Sequence, residues 1–135
     1  GLAQLERLDE FVERKRAMGR RYSELLAGLP GVQLPSPGDD AASNVYWVYG
    51  LVVDEERGLD AEAAMRRLGE RGIGTRPFFC PMHQQPVLLR HGLFDGERYP
   101  VAERLYRQGF YIPSGMALTA AQMDRVAEAV WEVLG

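Results

Sequence analysis

The run Asn44–Asp54, NVYWVYGLVVD, is the strongest strand signal in the chain. Its β-branched and aromatic residues are apolar at both alternating sets of positions, so this strand should be covered on both faces. Upstream lies PGVQLPSPGDDAAS (30–43), whose Pro, Gly, Ser and Asp mark a linker. Before it, Leu2, Leu5, Leu8, Val12, Met18, Tyr22, Leu25, Leu26 and Leu29 recur in steps of three and four. That spacing predicts one long amphipathic helix, stopped by Gly28 and the Leu29-Pro30-Gly31 stretch. The pattern is already running at Leu2, with no Ser, Thr, Asp or Asn cap before it. The expectation is therefore the C-terminal piece of a larger protein, with residues 1–30 as an interdomain helix and 31–135 as a small C-terminal domain.

Downstream, Asp60 can cap a helix carrying Ala64, Met65 and Leu68, closed by Gly72 with Ile73 beyond it. A short strand is expected from about Gly74 to Phe79, breaking at Pro81. Met82 to Arg98 has little periodicity and reads as a long loop, with a helical turn around Val87 to Arg90. Pro100 fits the first turn of a helix with Val101, Leu105 and Tyr106, ended by Gly109. FYIP (110–113) is a third strand. Thr119 and Gln122 form a capping box, and Leu118 with Met123 a hydrophobic staple, before a last helix through Val126, Val130 and Leu134. The resulting fold class is α/β (α+β), a small two-layer domain with a short, about three-stranded sheet packed by helices.

Composition narrows the function. The chain has 135 residues, 46% of them hydrophobic and 26% charged, with 16 Lys+Arg against 19 Asp+Glu and a net charge of −3. Such a balance gives no electrostatic reason to bind nucleic acid or an anionic membrane. Lys15 is the only Lys, and the remaining basic residues are Arg, the side chain suited to fork-like recognition of carboxylates and phosphates. One Cys excludes an internal disulfide and points to a reducing cytoplasm. No apolar run approaches the ~20 residues of a membrane span.

Chemistry-bearing residues concentrate in TRPFFCPMH (75–83). Cys80 and His83 have a C-x-x-H spacing that His91 and Asp95 could complete to four zinc ligands, though a structural zinc site usually shows two tight pairs. A thiolate–imidazole nucleophile is rejected, because that spacing on a Pro-broken segment does not set Cys80 against a base. There is no G-x-x-x-x-G-K-[ST] and no G-x-G-x-x-G. Lys15 falls within the apolar stripe of the first helix, where its stem should pack while its amine snorkels out to water.

Three stretches, read together, carry a resemblance: GLAQLERLDEFVERKRAMGRRYSELL, GIGTRPFFCPMHQQP, and YPVAERLYRQGFYIPSGMALTAAQMDRVAEAV. They resemble the C-terminal part of the DegT/DnrJ/StrS family of pyridoxal-phosphate-dependent sugar aminotransferases, and the middle one its perosamine-synthase branch in particular. The resemblance implies the small C-terminal domain of a fold-type I aminotransferase, working as a homodimer. It implies transfer of an amino group from glutamate to a nucleotide-linked keto sugar, of the GDP-4-keto-6-deoxymannose kind. The pyridoxal phosphate would sit on a Lys of the large domain, upstream of this chain, so the chain alone should neither turn over nor bind the cofactor productively. Catalytic residues are then expected elsewhere, and this domain would supply the substrate-side wall. Arg76 would meet a phosphate or carboxylate, and Phe79 would pack on the sugar or base. His83, on a rigid turn after Pro81, would project into a cleft and bond sugar oxygens or phosphate, with Ser114 near the end of the last strand joining them. Cys80 takes no chemical role. Two other readings are a free-standing α/β module that senses a metabolite in the long loop, and a small zinc protein built on Cys80, His83 and His91.

Overall fold

The computed structural model describes residues 1–135. In chain order its elements are α1 (Leu2–Leu5), α2 (Leu8–Leu25), β1 (Val32–Gln33), β2 (Tyr49–Val53), α3 (Ala61–Glu70), β3 (Arg76–Pro77), α4 (Pro86–Arg90), α5 (Pro100–Gln108), β4 (Gly109–Ile112) and α6 (Ala120–Leu134). Single 3-10 turns occupy Glu55–Arg57 and Met82–Gln84. The long first helix of the sequence reading is thus two. Arg7 leaves helical dihedrals (φ −116°, ψ 16°), its guanidinium bonds both carboxylate oxygens of Glu10 at 2.9 Å, and it stacks 4.9 Å over the Phe11 ring.

The sheet is antiparallel throughout, in the order β1-β2-β4-β3. It has four strands rather than three, because Val32 and Gln33, read as linker, pair with Val53 and Val52. A two-residue strand is too short to show alternation. Tyr49, Leu51 and Val53 of β2 and Phe110 and Ile112 of β4 are buried on one face. They meet Tyr22 and Leu26 at the end of α2, Ala64 and Leu68 of α3, and Met123, Val126, Val130 and Leu134 of α6 in one cluster. Each large apolar side chain so buried contributes about 1.5–3 kcal/mol before entropy. Tyr22 also donates its hydroxyl to the Pro113 carbonyl at 2.8 Å, tying α2 to the end of β4.

Local signals set the helix ends. Asp60 accepts from the Ala63 N–H at 2.8 Å, and Gly72 (φ +74°) lets the Ile73 N–H return to the Leu68 carbonyl at 3.0 Å. Thr119 and Gln122 form the reciprocal capping box of α6.

The strand expected over 44–54 begins only at Tyr49. Asn44 Oδ1 accepts from the Tyr46 N–H at 2.7 Å, and Tyr46 adopts φ +50°. That turn drives the Tyr46 ring onto α2 at Gly19, where a Cβ would lie 2.3 Å from the ring. Val45 and Trp47 are thereby left at the surface.

The other sheet face is closed differently. A Cβ at Gly50 or Gly109 would lie 2.8 or 2.3 Å from the Phe78 ring, so two glycines admit that ring against the backbone of β2 and β4. Phe78 also packs on Tyr111, centroids 4.8 Å apart.

Candidate substrate-facing cleft

Strand register places the first site residue. Arg76 of β3 stands opposite Tyr111 of β4, which stands opposite Gly50 of β2. Directly opposed residues share a sheet face, so Arg76 lies on the face away from the helical core. Pro77 occupies the edge strand, where a missing N–H costs no ladder bond. Arg76 is exposed and enters no ion pair. With Val48, Thr75, Tyr111, Pro113 and Ser114 it lines a cleft of about 410 Å³.

Ser114 follows β4 and is also a wall of a second cleft, of about 560 Å³, lined by Phe11, Val12, Lys15, Val45, Trp47, Gly115 and Met116. Here the sequence reading needs correction. The Lys15 amine is partly buried and donates to the Ser114 carbonyl at 2.5 Å, and burial pushes its pKa down. No carboxylate pairs with it.

Phe79 is 72% exposed and meets Tyr111 edge-on, centroids 6.3 Å apart. It is an aromatic edge beside Arg76, not a core residue.

His83 does not project into either cleft. Its ring is buried, 4.8 Å from Tyr99, and Nε2 lies 3.1 Å from Glu103 Oε1. The turn after Pro81 directs it inward because Glu103 waits there with its carboxylate already fixed. Arg98 donates to both Glu103 oxygens at 3.1 and 3.2 Å, and the Tyr99 N–H donates at 3.0 Å. These bonds, Arg98 first, then Tyr99, with His83 a smaller contributor, bring the Glu103 carboxyl down to about 2. Glu103 was not singled out from sequence, although it is the Glu of the Pro-x-Ala-Glu helix start at Pro100. The cluster pins the Met82–Gln84 turn to α5, and so fixes where the chain leaves Phe79.

The structure therefore brings Arg76, Phe79 and Ser114 around Tyr111, adds Lys15 and Trp47 across Ser114, and sets His83 apart. The zinc reading loses its geometry, since no three His, Cys, Asp or Glu side chains assemble. Cys80 makes only a weak 3.8 Å contact with the Pro81 carbonyl.

Nor do these residues fit pyridoxal phosphate. A site for it needs an amine free to form an imine and a carboxylate for the ring nitrogen. The one Lys has no carboxylate near it that could pair a ring nitrogen, since neither cleft contains an Asp or Glu. No helix is long and apolar enough to cross a membrane.

Comparison with known proteins agrees with this architecture. The model of the DegT/DnrJ/EryC1/StrS aminotransferase family matches residues 1–131. EpsN of Bacillus subtilis is 36% identical over 131 residues, 96% of this chain and 33% of EpsN. GDP-perosamine synthase of Caulobacter vibrioides is 32% identical over 135 residues, 99% of this chain and 35% of that protein. Among solved structures, the aminotransferase TlmJ of Streptoalloteichus hindustanus superposes with a TM-score of 0.83 at 29% identity, covering 99% of this chain and 34% of TlmJ. The chain thus spans about a third of the length of the curated relatives it matches.

Proposed function

Because this chain belongs to the DegT/DnrJ/EryC1/StrS aminotransferase family, we propose that it forms the substrate-side wall of a pyridoxal-phosphate-dependent sugar aminotransferase. The reaction moves an amino group from glutamate to a nucleotide-linked keto sugar, of the GDP-4-keto-6-deoxymannose kind. Relatives named GDP-perosamine synthase support that substrate class. In this reading residues 1–30 lead from a large domain, residues 31–135 form the small one, and the enzyme is a cytoplasmic homodimer. The cofactor belongs to the part of the relatives' length that this chain does not span.

One observation carries the role given to this chain. Arg76, without a carboxylate partner, projects from an edge strand beside two aromatic rings, Phe79 and Tyr111, on the sheet face the core leaves free. A guanidinium fork offers paired N–H donors to a phosphate or carboxylate, and the ring edges exclude water from an apolar sugar face. His83 acts through Glu103 as a positioning residue for the turn behind Phe79.

Steady-state amino transfer by the full gene product tests this. Arg76→Ala should raise KM for the nucleotide sugar at least tenfold, the size of one lost charge-assisted hydrogen bond or more. Arg76→Lys should recover only part, because the fork is lost. An unchanged KM for both nucleotide sugar and glutamate in Arg76→Ala would remove Arg76 from the wall.

A further inference from the structure

One carboxylate holds two separate points of the chain. Glu103 Oε1 faces His83 Nε2 at 3.1 Å and accepts from the Tyr99 N–H at 3.0 Å, while Arg98 donates to both Glu103 oxygens. His83 thus ties down the incoming side of residues 84–97, and Arg98 with Tyr99 the outgoing side. The His83 and Tyr99 rings pack between them, centroids 4.8 Å apart. This stem is sheltered, the His83 and Glu103 side chains being 6% and 11% exposed.

The excursion that the stem closes has no core of its own. None of residues 84–97 is buried, and Val87, Leu89 and Leu93 lie at the surface. Gly92, Phe94 and Gly96, at φ +71°, +61° and +72°, turn the chain back. Its hydrogen bonds to the rest of the molecule go to Cys80, Pro81, Met82 and Tyr99, all at its two ends. With five residues, α4 is far shorter than the ~12–15 that a free helix needs in water. Its turns therefore persist only while the ends are held together, and releasing them restores the entropy of an open loop.

We propose that residues 84–97 are a flap latched by Glu103, which opens as one unit while the sheet and its helices stay folded. The flap stands independently of the reading above, and only its effect on the reaction rests on that reading. Phe79 lies between two anchors, the Phe78 ring over Gly50 and Gly109 and the His83 ring at the latch. Opening the latch frees the second anchor, which makes Glu103 a positioning residue for Phe79.

Hydrogen exchange of the full gene product, read by mass spectrometry at rising urea below the unfolding transition, tests the flap. In the wild type the amides of Leu88, Leu89, His91, Gly92 and Leu93, bonded within the flap, should exchange together. They should do so at least tenfold faster than those of β2, β4 and α6, and with little dependence on urea, because opening exposes little surface. Val130→Ala, at a fully buried position of α6, should speed core exchange about tenfold and leave the flap unchanged. Glu103→Gln keeps the shape and removes the charge. It should speed flap exchange roughly tenfold or more, the size of one lost charge-assisted hydrogen bond. Arg98→Met should do the same, and the double variant little more, since both release one latch. In steady-state amino transfer, Glu103→Gln should raise KM for the nucleotide sugar at least threefold with kcat within about twofold.

Flap amides that exchange only with the core, that follow Val130→Ala, or that Glu103→Gln leaves unchanged would overturn the flap. So would flap amides in the wild type as fast as those of an unstructured peptide. A flap loosened in Glu103→Gln with KM unchanged would overturn the positioning role alone, while the wall itself is judged separately by Arg76→Ala.

Discussion

Gly19 tests whether the Asn44–Trp47 turn is built as described, and with it the position of Trp47. In the middle of an α-helix, Gly→Ala ordinarily stabilises by about 1 kcal/mol, since Ala restricts the unfolded chain and costs no side-chain entropy. At Gly19 the new Cβ would lie 2.3, 2.4 and 2.6 Å from Cγ, Cδ2 and Cδ1 of Tyr46. The ring cannot easily swing away. Tyr46 is held at φ +50° by the Asn44 bond, is buried, and stacks on Tyr49 with centroids 6.0 Å apart. Overpacking of this kind costs about 1–3 kcal/mol, and the three sub-van-der-Waals contacts argue for the upper end. Against a propensity gain of about 1 kcal/mol, the net is a loss of roughly 2 kcal/mol. For a chain of this length that corresponds to a fall in Tm on the order of 7 °C.

Gly69 provides the matched control. It lies within α3, and a Cβ there would meet no atom within 4 Å. Gly69→Ala should therefore raise the urea midpoint by the usual helix-propensity gain, while Gly19→Ala lowers it. Equilibrium unfolding followed at 222 nm measures both. If Gly19→Ala stabilises as Gly69→Ala does, Tyr46 is not on α2, and the cleft wall at Val45 and Trp47 is wrong with it.

The Glu103 cluster predicts a pH signature. Its folded pKa of about 2 lies below the ordinary 4.5, so the stability it contributes is fully present above about pH 4.5 and is lost as pH falls toward 2. Glu103→Gln should flatten acid-induced loss of stability in that window, and an unaltered acid titration would refute the assignment. Phe78→Ala empties the space over Gly50 and Gly109 and should cost roughly 2 kcal/mol, with a rise in Tyr111 exposure read by fluorescence. Thr119→Ala removes the α6 capping box and should cost about 1 kcal/mol in urea unfolding.

What could be read from sequence divides by the distance over which each feature is decided. The helix caps at Asp60 and Thr119, the Gly72–Ile73 stop and the apolar core of β2 are all settled within a few residues, and all were legible. The family motifs likewise led to the Arg76 segment without any structure. The misread features depend on partners far away in the chain. Tyr46 turns because α2 offers Gly19 as a socket, so a perfect strand composition over 44–48 was overridden by one tertiary contact. His83 faces inward because Glu103, 20 residues on, is already held by Arg98 and Tyr99. Lys15 had the right stripe position for burial, but its amine is directed by a carbonyl 99 residues away. A lone Lys in an apolar stripe gives the same local pattern whether its amine escapes to water or enters a cleft. Only the return of β4 beside α2, fixed in part by the Tyr22–Pro113 bond, brings the Ser114 carbonyl to it.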